Sequence, residues 1–164
     1  MRADADTSVS VRPLRREHHS AWLPLWRGYQ AFYEIDIPQD ISELTWARLL
    51  DPAEPVAGAL AWDGAAAVGL AHHIRHRSCW TAGDYCYLQD LFVVPTARGS
   101  GIGRKLIEHV SEAAARYGCA RVYWLTHETN AAAIRLYDRV AERSGFIQYC
   151  RSLERNTPAS EDEA

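Results

Sequence analysis

The stretch of the chain that decides the fold is residues 91–104, which read LFVVPTARGSGIGR. An apolar, strand-like run ends at Pro95 and leads through three alternating glycines into a segment with helical spacing. A strand, a glycine turn and a helix in this order present unpaired backbone N–H groups and the positive end of the helix dipole at one point. The stretch is therefore suited to bind an anion, and a pyrophosphate is its natural ligand.

The side chains around the turn narrow the choice of ligand. Glycines at 99, 101 and 103 let the backbone approach phosphate oxygens, and Arg98 and Arg104 can add charge-assisted hydrogen bonds. The dinucleotide fingerprint needs a further glycine where Arg104 stands, and the P-loop needs Gly-Lys-Ser/Thr. A plain tight turn before a helix could also use these glycines, but if the turn binds a nucleotide, the pattern indicates one other than NAD or ATP.

Outward from this unit, hydrophobic periodicity predicts alternating strands and helices in one domain, residues 1–154. Asp63-Gly64, between two apolar runs, is a strong hairpin signal. The composition of residues 155–164 predicts a disordered acidic tail. The expected elements are strand 9–14, helices 20–33 and 44–50, strands 56–62, 65–74 and 85–94, helix 101–117, strand 121–126, a helix capped by Asn130, and a final strand 146–151.

Composition excludes several classes of protein. The chain has 164 residues and a formal net charge of -3, which gives no basic face for nucleic acid. Its four cysteines form no C-x-x-C pair, so neither a zinc knuckle nor a redox motif is indicated. No apolar run approaches the roughly 18 residues of a membrane-spanning helix. We expect a cytoplasmic protein that binds neither nucleic acid nor membrane.

Two motifs together resemble those of a known superfamily. RGSGIG at residues 98–103, preceded by Val-x-Pro, is similar to the Arg/Gln-x-x-Gly-x-Gly/Ala element of the GNAT N-acetyltransferases. NAAAIRLY at residues 130–137 resembles the family's Asn-x-x-Ala-x-x-x-Tyr segment, and Gly145-Phe146 follows as usual. Residues 87–93 and 123–130 resemble the branch that contains histone and polyamine acetyltransferases. The likeness covers residues 9–151.

The resemblance implies an α/β fold with a mixed, mostly antiparallel sheet, a splayed strand pair and flanking helices. It implies transfer of the acetyl group of acetyl-CoA to a primary amine, on a polyamine-like small molecule or a lysine side chain, directly in a ternary complex without a metal. In this family the glycine loop holds the pyrophosphate of coenzyme A. The positions that would contact the cofactor are Leu91, Phe92, Val93, Arg98, Gly99, Ser100, Gly101, Ile102, Gly103, Arg104, Asn130 and Tyr137.

The resemblance also assigns the proton chemistry. Tyr137 occupies the position of the family's general acid, and a phenol with an ordinary pKa of about 10 suits that role. Many relatives have Glu where Gln89 stands, and an amide cannot serve as a base. Asp90 is then the first choice for the base, with Glu34, Asp36 and Glu128 as alternatives.

The acceptor site is expected to be acidic and aromatic. Its predicted residues are Tyr29, Tyr33, Glu34, Gln89 and Asp90. Trp22 and Trp26, on the same helical stripe, are more typical of core residues. Three histidines at 72, 73 and 76 lack metal-ligand spacing, and we expect them to bind no metal.

Three matters stay open at the level of sequence. Gln89 leaves room for a catalytically weak coenzyme A-binding module used in sensing or assembly. The resemblance makes a homodimer through the C-terminal strand plausible, since a strand edge can pair with another chain. The sequence does not identify the acceptor amine.

Overall fold

The structure is a computed structural model that describes residues 9–153. The expected acidic tail, residues 155–164, lies outside this range. The helices and strands of the described residues are β1 (Ser10–Pro13), α1 (His19–Phe32), α2 (Gln39–Leu50), β2 (Val56–Asp63), β3 (Ala66–His76), β4 (Tyr85–Val93), α3 (Ile102–Arg116), β5 (Arg121–Tyr123) and α4 (Ala131–Val140).

The strands form one sheet in the order β1-β2-β3-β4-β5. The first four are antiparallel neighbours, and β5 runs parallel to β4, so the sheet is mixed and mostly antiparallel as predicted. The hairpin expected at Asp63-Gly64 joins β2 to β3, with Gly64 at a φ of +58° that favours glycine.

Each face of the sheet carries its own core cluster. On one face, α1 and α2 pack through Trp22, Leu25, Trp26 and Leu49 against Leu60, Leu70 and Phe92. Trp22 and Trp26 are 1% and 4% exposed, which confirms their assignment to the core. On the other face, α3 packs on Ala61, Ala71, Cys86 and Leu88 through Ile102, Leu106, Ile107, Val110 and Ala114.

A bulge in β4 decides which side chains reach the α1 face. His72 pairs with Asp90 and the adjacent His73 pairs with Leu88, so Gln89 is an extra residue in β4. Two residues apart on a regular strand share a face, but the bulge breaks that alternation. Leu88 therefore packs on the α3 side, while Asp90 lies on the α1 side against His72.

The sheet opens between its last two strands. β5 pairs with β4 only as far as Tyr87, opposite Tyr123, and β4 continues to Val93. The strand expected at 121–126 is thus shorter, and the remaining part of β4 has a free edge on this side within residues 9–153. This is the splayed strand pair that the resemblance implies.

The final strand expected at residues 146–151 is wrong for the structure of the single chain. Residues 142–153 belong to no helix or strand, and Phe146, Ile147 and Tyr149 are 75%, 76% and 89% exposed. The apolar sequence favours a strand, but β-pairing needs a partner edge, and this segment pairs with none of the described strands.

Candidate active site

The glycine turn has the geometry of an anion cradle. Gly99 and Gly101 adopt φ values of +80° and +82°, and a Cβ at either would meet no heavy atom within 4 Å. Gly101 begins α3 without a side-chain cap, and no group among residues 9–153 accepts a hydrogen bond from the amides of Gly101, Ile102 or Gly103. Free donors at a helix N-terminus attract negative charge.

The polar side chains of the turn mainly hold its shape. Arg98 donates from Nε to the Val93 carbonyl at 3.0 Å, and the Ser100 hydroxyl donates to the Ala97 carbonyl at 2.6 Å. Arg104 points along α3 to Glu108, at 2.8 Å. The Ile102 side chain is buried in the core, so only its amide faces the turn.

Leu91, Phe92 and Val93 bring the open edge of β4 up to this turn. Leu91 and Val93 pack partly on the α3 core cluster, whereas Phe92 is buried under α1. A Cβ added to Gly28 of α1 would lie 2.9 Å from the Phe92 ring, so only a glycine allows α1 to approach so closely. The side chains of these three residues are thus used in packing, and their backbone forms the edge.

The helix α4 places Tyr137 beside the opening. Asn130 caps α4 by accepting a hydrogen bond from the Ala133 amide at 3.3 Å, as predicted. Tyr137 packs edge-on against Trp124, with ring centroids 5.4 Å apart. Burial, and then the neighbouring phenol of Tyr33, raises the pKa of Tyr137 to about 12. The phenol therefore keeps its proton at every ordinary pH.

Helix α4 is also fixed to the glycine turn. A Cβ added to Gly103 would lie 3.0 Å from the Leu136 side chain. The third glycine of the turn thus serves the contact between α3 and α4, one residue before Tyr137, a role that the sequence motif alone does not reveal.

Asp90 is the buried carboxylate around which the predicted acceptor residues gather. It is 5% exposed, and its Oδ2 lies 3.0 Å from Nδ1 of His72. Burial, followed by the charge of Asp90 and a hydrogen bond to it, raises the pKa of Tyr29 far above its ordinary value. Burial and then Asp90 also raise the pKa values of Tyr33 and Tyr87.

Tyr33 links the two halves of the site. Its ring centroid lies 4.9 Å from that of Tyr29. The nearby Asn130 side chain partly offsets the increase in the pKa of Tyr33, and the Tyr33 phenol in turn raises the pKa of Tyr137. The structure therefore brings Tyr29, Tyr33, Asp90, Asn130 and Tyr137 into one neighbourhood.

Glu34 and Gln89, the other two predicted acceptor residues, lie at the surface. Gln89 occupies the bulge of β4 and is exposed. Glu34 follows the end of α1 in the left-handed region, at a φ of +53°. The Ile35 amide bonds the Gln30 carbonyl at 3.0 Å across this residue, which is the Schellman arrangement where glycine is usual. None of the hydrogen bonds or ion pairs of residues 9–153 joins Glu34 to Asp90.

Sequence reasoning missed His72, Trp22 and Tyr87. The sequence pattern indicates that the adjacent histidines are not metal ligands, and the helical aromatic stripe that contains Trp22 is typical of core residues. A His–Asp pair on neighbouring strands depends on the register and the bulge, which leave no signal in the sequence. Among the described residues, no group of three or more His, Cys, Asp or Glu side chains is arranged to hold a metal ion. No helix there has the length and apolar character of a membrane span.

Comparison with known proteins decides the family. The model of the Acetyltransferase (GNAT) family matches residues 15–141. The chain belongs to the GNAT family. The D-amino-acid N-acetyltransferase HPA3 of Saccharomyces cerevisiae is 36% identical over 146 residues, which cover 88% of this chain and 91% of that protein. The thialysine N-epsilon-acetyltransferase of Mus musculus is 38% identical over 91 residues, about half of each chain (52% and 53%).

A solved structure agrees with this GNAT assignment. The aminoglycoside N-acetyltransferase AAC(6')-Iy in complex with CoA superposes with a TM-score of 0.76 at 19% identity, over 88% of this chain and 94% of that one. At this identity the likeness establishes the fold. The named relatives are N-acetyltransferases, and this GNAT protein is an acetyl-CoA-dependent N-acetyltransferase.

Proposed function

We propose that this GNAT enzyme transfers the acetyl group of acetyl-CoA directly to a primary amine in a ternary complex. The observation that carries the proposal is the row of unpaired amides at the start of α3, beside the free edge of β4. The amides offer a site for an anionic group, and the edge offers backbone donors and acceptors to an extended chain. A pyrophosphate with a pantetheine arm has both parts.

The residues present fit this cofactor. Gly99 and Gly101 leave open space where a side chain would stand, and the amides of Gly101, Ile102 and Gly103 are free to donate. Arg98 and Ser100 hold the turn in this conformation. When bound, acetyl-CoA supplies an activated acyl group as a thioester. The free edge of β4, from Leu91 to Val93, would bind the pantetheine arm.

Tyr137 would act as the proton donor to the leaving thiol. With a pKa of about 12, the phenol is a weaker acid than an ordinary thiol, whose pKa is about 8.5. Its contribution would therefore be a hydrogen bond that strengthens as negative charge develops on sulfur, with the proton passing only when the C–S bond breaks. Its place on α4, held against Gly103, keeps the phenol near the turn.

The acceptor amine would bind where α1 meets β4. Asp90 supplies negative charge and Tyr29 and Tyr33 supply aromatic faces, a combination that attracts an ammonium group. Glu34 retains a left-handed conformation that glycine would adopt more easily, by about 1 kcal/mol or more. Strain kept at a side chain is typical of a functional role, and we assign Glu34 and Gln89 to the outer rim of this site.

A second acceptor class follows from the relative HPA3, a D-amino-acid N-acetyltransferase that matches almost the whole chain. An amino acid carries its own carboxylate beside the reacting amine. The buried negative charge of Asp90 favours acceptors without that carboxylate. Diamines and D-amino acids as acceptors are therefore distinguishable by experiment.

A panel of amines with acetyl-CoA tests the proposal. Mass spectrometry should detect an acetylated product for diamines, polyamines, thialysine or a lysine-bearing peptide, and D-amino acids give the second class its own arm. Tyr137→Phe should lose the product, and Tyr117→Phe, which removes the hydroxyl of an exposed tyrosine just after α3, serves as the matched control. If no amine in either arm is acetylated by the wild-type enzyme, the proposed function is wrong.

We also propose that the chain forms a homodimer through its C-terminal segment, residues 145–153. This segment exposes Phe146, Ile147, Tyr149 and Leu153, and one edge of β5 is free among the described strands. In a dimer, the C-terminal segment of each copy would pair with the free β5 edge of the other copy. This pairing would cover the apolar side chains of both segments. Light scattering should show a dimer that Ile147→Asp converts to a monomer, while Trp80→Asp, at another exposed apolar side chain, leaves it intact. A monomeric wild type overturns this proposal alone.

A further inference from the structure

A buried hydrogen-bonded chain runs from α1 through β3 to β4. The indole Nε1 of Trp22 lies 2.9 Å from Nε2 of His72, and Nδ1 of His72 lies 3.0 Å from Oδ2 of Asp90. Trp22, His72 and Asp90 are 1%, 3% and 5% exposed. Polar groups buried this deeply require partners, and here each atom in the chain meets one.

The chemistry of the indole fixes the tautomer of His72. An indole N–H can only donate, so Nε2 of His72 must be the acceptor and carries no proton. The proton of the neutral ring is then on Nδ1, and this N–H donates to Asp90. His72 cannot take a second proton unless it breaks its bond to Trp22. It can therefore hold the Asp90 carboxylate but cannot relay a proton away from it.

The other groups near Asp90 lie on the side where the acceptor is proposed to bind. Tyr29 from α1, Tyr33 just after α1 and Tyr87 from β4 lie close enough for the charge of Asp90 to raise their pKa values. His73, the neighbouring titratable group on β3, faces the opposite side of the sheet and contacts Cys86 at 3.6 Å. Asp90 is thus held by His72 and has three tyrosines near it.

We propose that His72 is a positioning residue that holds Asp90 in place to receive the proton of the acceptor amine. This inference rests on the proposed function. The ammonium N–H gives its proton to the carboxylate oxygen of Asp90 that His72 does not hold. The products are a neutral amine and a neutral carboxylic acid. Later loss of the Asp90 proton to solvent restores the carboxylate.

The orientation of Asp90 depends on His72. The Nδ1–H of His72 holds Oδ2 of Asp90 at 3.0 Å, and Trp22 in turn holds the His72 ring from the other side. Without the Nδ1–H of His72, Asp90 would lose the partner that sets its direction.

The tautomer is tested first, by long-range ¹H–¹⁵N NMR of the imidazole rings in the free wild-type protein. At pH 7, His72 should be neutral with its proton on Nδ1, because Nε2 accepts the indole N–H of Trp22. A wild-type His72 that is charged, or has its proton on Nε2, overturns the proposal without any reference to activity.

The positioning role is tested by kinetics on two variants of His72 and a control. His72→Asn keeps an N–H where Nδ1 stood and should retain kcat within about 5-fold of wild type. His72→Leu loses it and should reduce kcat by roughly 30-fold to 100-fold at pH 7, with KM for acetyl-CoA unchanged. His73→Leu removes an equally buried histidine on the other face and should leave kcat within about 2-fold.

The pH profile separates proton transfer from a structural defect. An alkyl ammonium loses its own proton at a pH of about 10.4, so the need for Asp90 disappears as the pH approaches that value. The deficit of His72→Leu should therefore shrink to about 3-fold by pH 10. A deficit that does not change with pH, or a kcat of His72→Leu like that of wild type, overturns the role of His72 alone. A wild type that acetylates no amine overturns both this role and the proposed function.

Discussion

Replacing Gly101 by alanine tests the anion cradle with a matched control elsewhere in the chain. Gly101 and Gly64 both have positive φ, +82° and +58°, and an added Cβ would meet no heavy atom within 4 Å at either. Alanine in a left-handed conformation costs about 1–2 kcal/mol. Both variants should therefore lose about the same stability, since strain is the only cost in each.

The two variants should differ in their affinity for coenzyme A. In Gly101→Ala the methyl group stands in the open space at the start of α3, and relief of strain turns the free amides away. Loss of one hydrogen bond to a charged group costs about 1.5–3 kcal/mol, which is roughly a 10-fold to 150-fold weaker Kd. Gly64 lies in the β2–β3 hairpin, and Gly64→Ala should bind as the wild type does.

Titration calorimetry with coenzyme A, together with urea unfolding of the same samples, gives both quantities. The expected result is a similar loss of unfolding free energy in the two variants and a loss of affinity in Gly101→Ala alone. If Gly101→Ala binds coenzyme A within about 2-fold of wild type, the free amides of this turn do not hold the cofactor. A loss of affinity in Gly64→Ala as well would trace the effect to stability.

Three further changes test other parts of the molecule. Tyr137→Phe should reduce kcat by at least about 100-fold without changing the affinity for the coenzyme, and a rate within about 2-fold of wild type would mean that the phenol only packs. Because the pKa of Tyr137 is about 12, the wild-type enzyme should lose no activity through deprotonation of this phenol up to pH 10. Glu34→Gly should raise the free energy of unfolding by about 1 kcal/mol, and Glu34→Gln should increase KM for a diamine more than for a monoamine; equal KM changes would remove Glu34 from the acceptor site. Burial lowers the pKa of His73 to about 4, whereas a histidine in the unfolded chain has a pKa of about 6.5. Between these two pH values the unfolded chain binds a proton at His73 and the folded protein does not. The free energy of unfolding should therefore fall by about 3 kcal/mol as the pH falls from 6.5 to 4. His73→Gln should show a shallower fall in urea titrations across this range, and an identical slope would contradict the assignment.

The sequence was sufficient to predict the local elements and the glycine turn. The strand, glycine turn and helix at residues 91–104 follow from residues that act on their own backbone: the glycines at positive φ, and the helical spacing after them. The cap at Asn130 and the hairpin at Gly64 are of the same kind. Family membership came from two such motifs, and comparison with known proteins confirmed it.

The nearness of Tyr29 and Tyr33 to Asp90 was predicted, because the two tyrosines follow a clear helical pattern. Tyr33 is the residue that ends α1, four residues after Tyr29, so the two share a face, and both lie near Asp90. Their role in binding an acceptor stays a prediction. The final strand at residues 146–151 was not predicted correctly. The apolar pattern of this segment favours a strand, but none of the described strands of the same chain pairs with it.

What only the tertiary structure decided is the setting of Asp90. Sequence alone placed a carboxylate on β4, but the one-residue bulge at Gln89 decided the face to which it points. The register of β3 on β4 then set His72 beside it, and the packing of α1 set Trp22 behind His72. Local sequence acts over a few residues, whereas these contacts join positions 18 and 50 residues apart. They depend on how the sheet and helix pack together, so the groups that hold and surround the carboxylate could be known only from the folded chain.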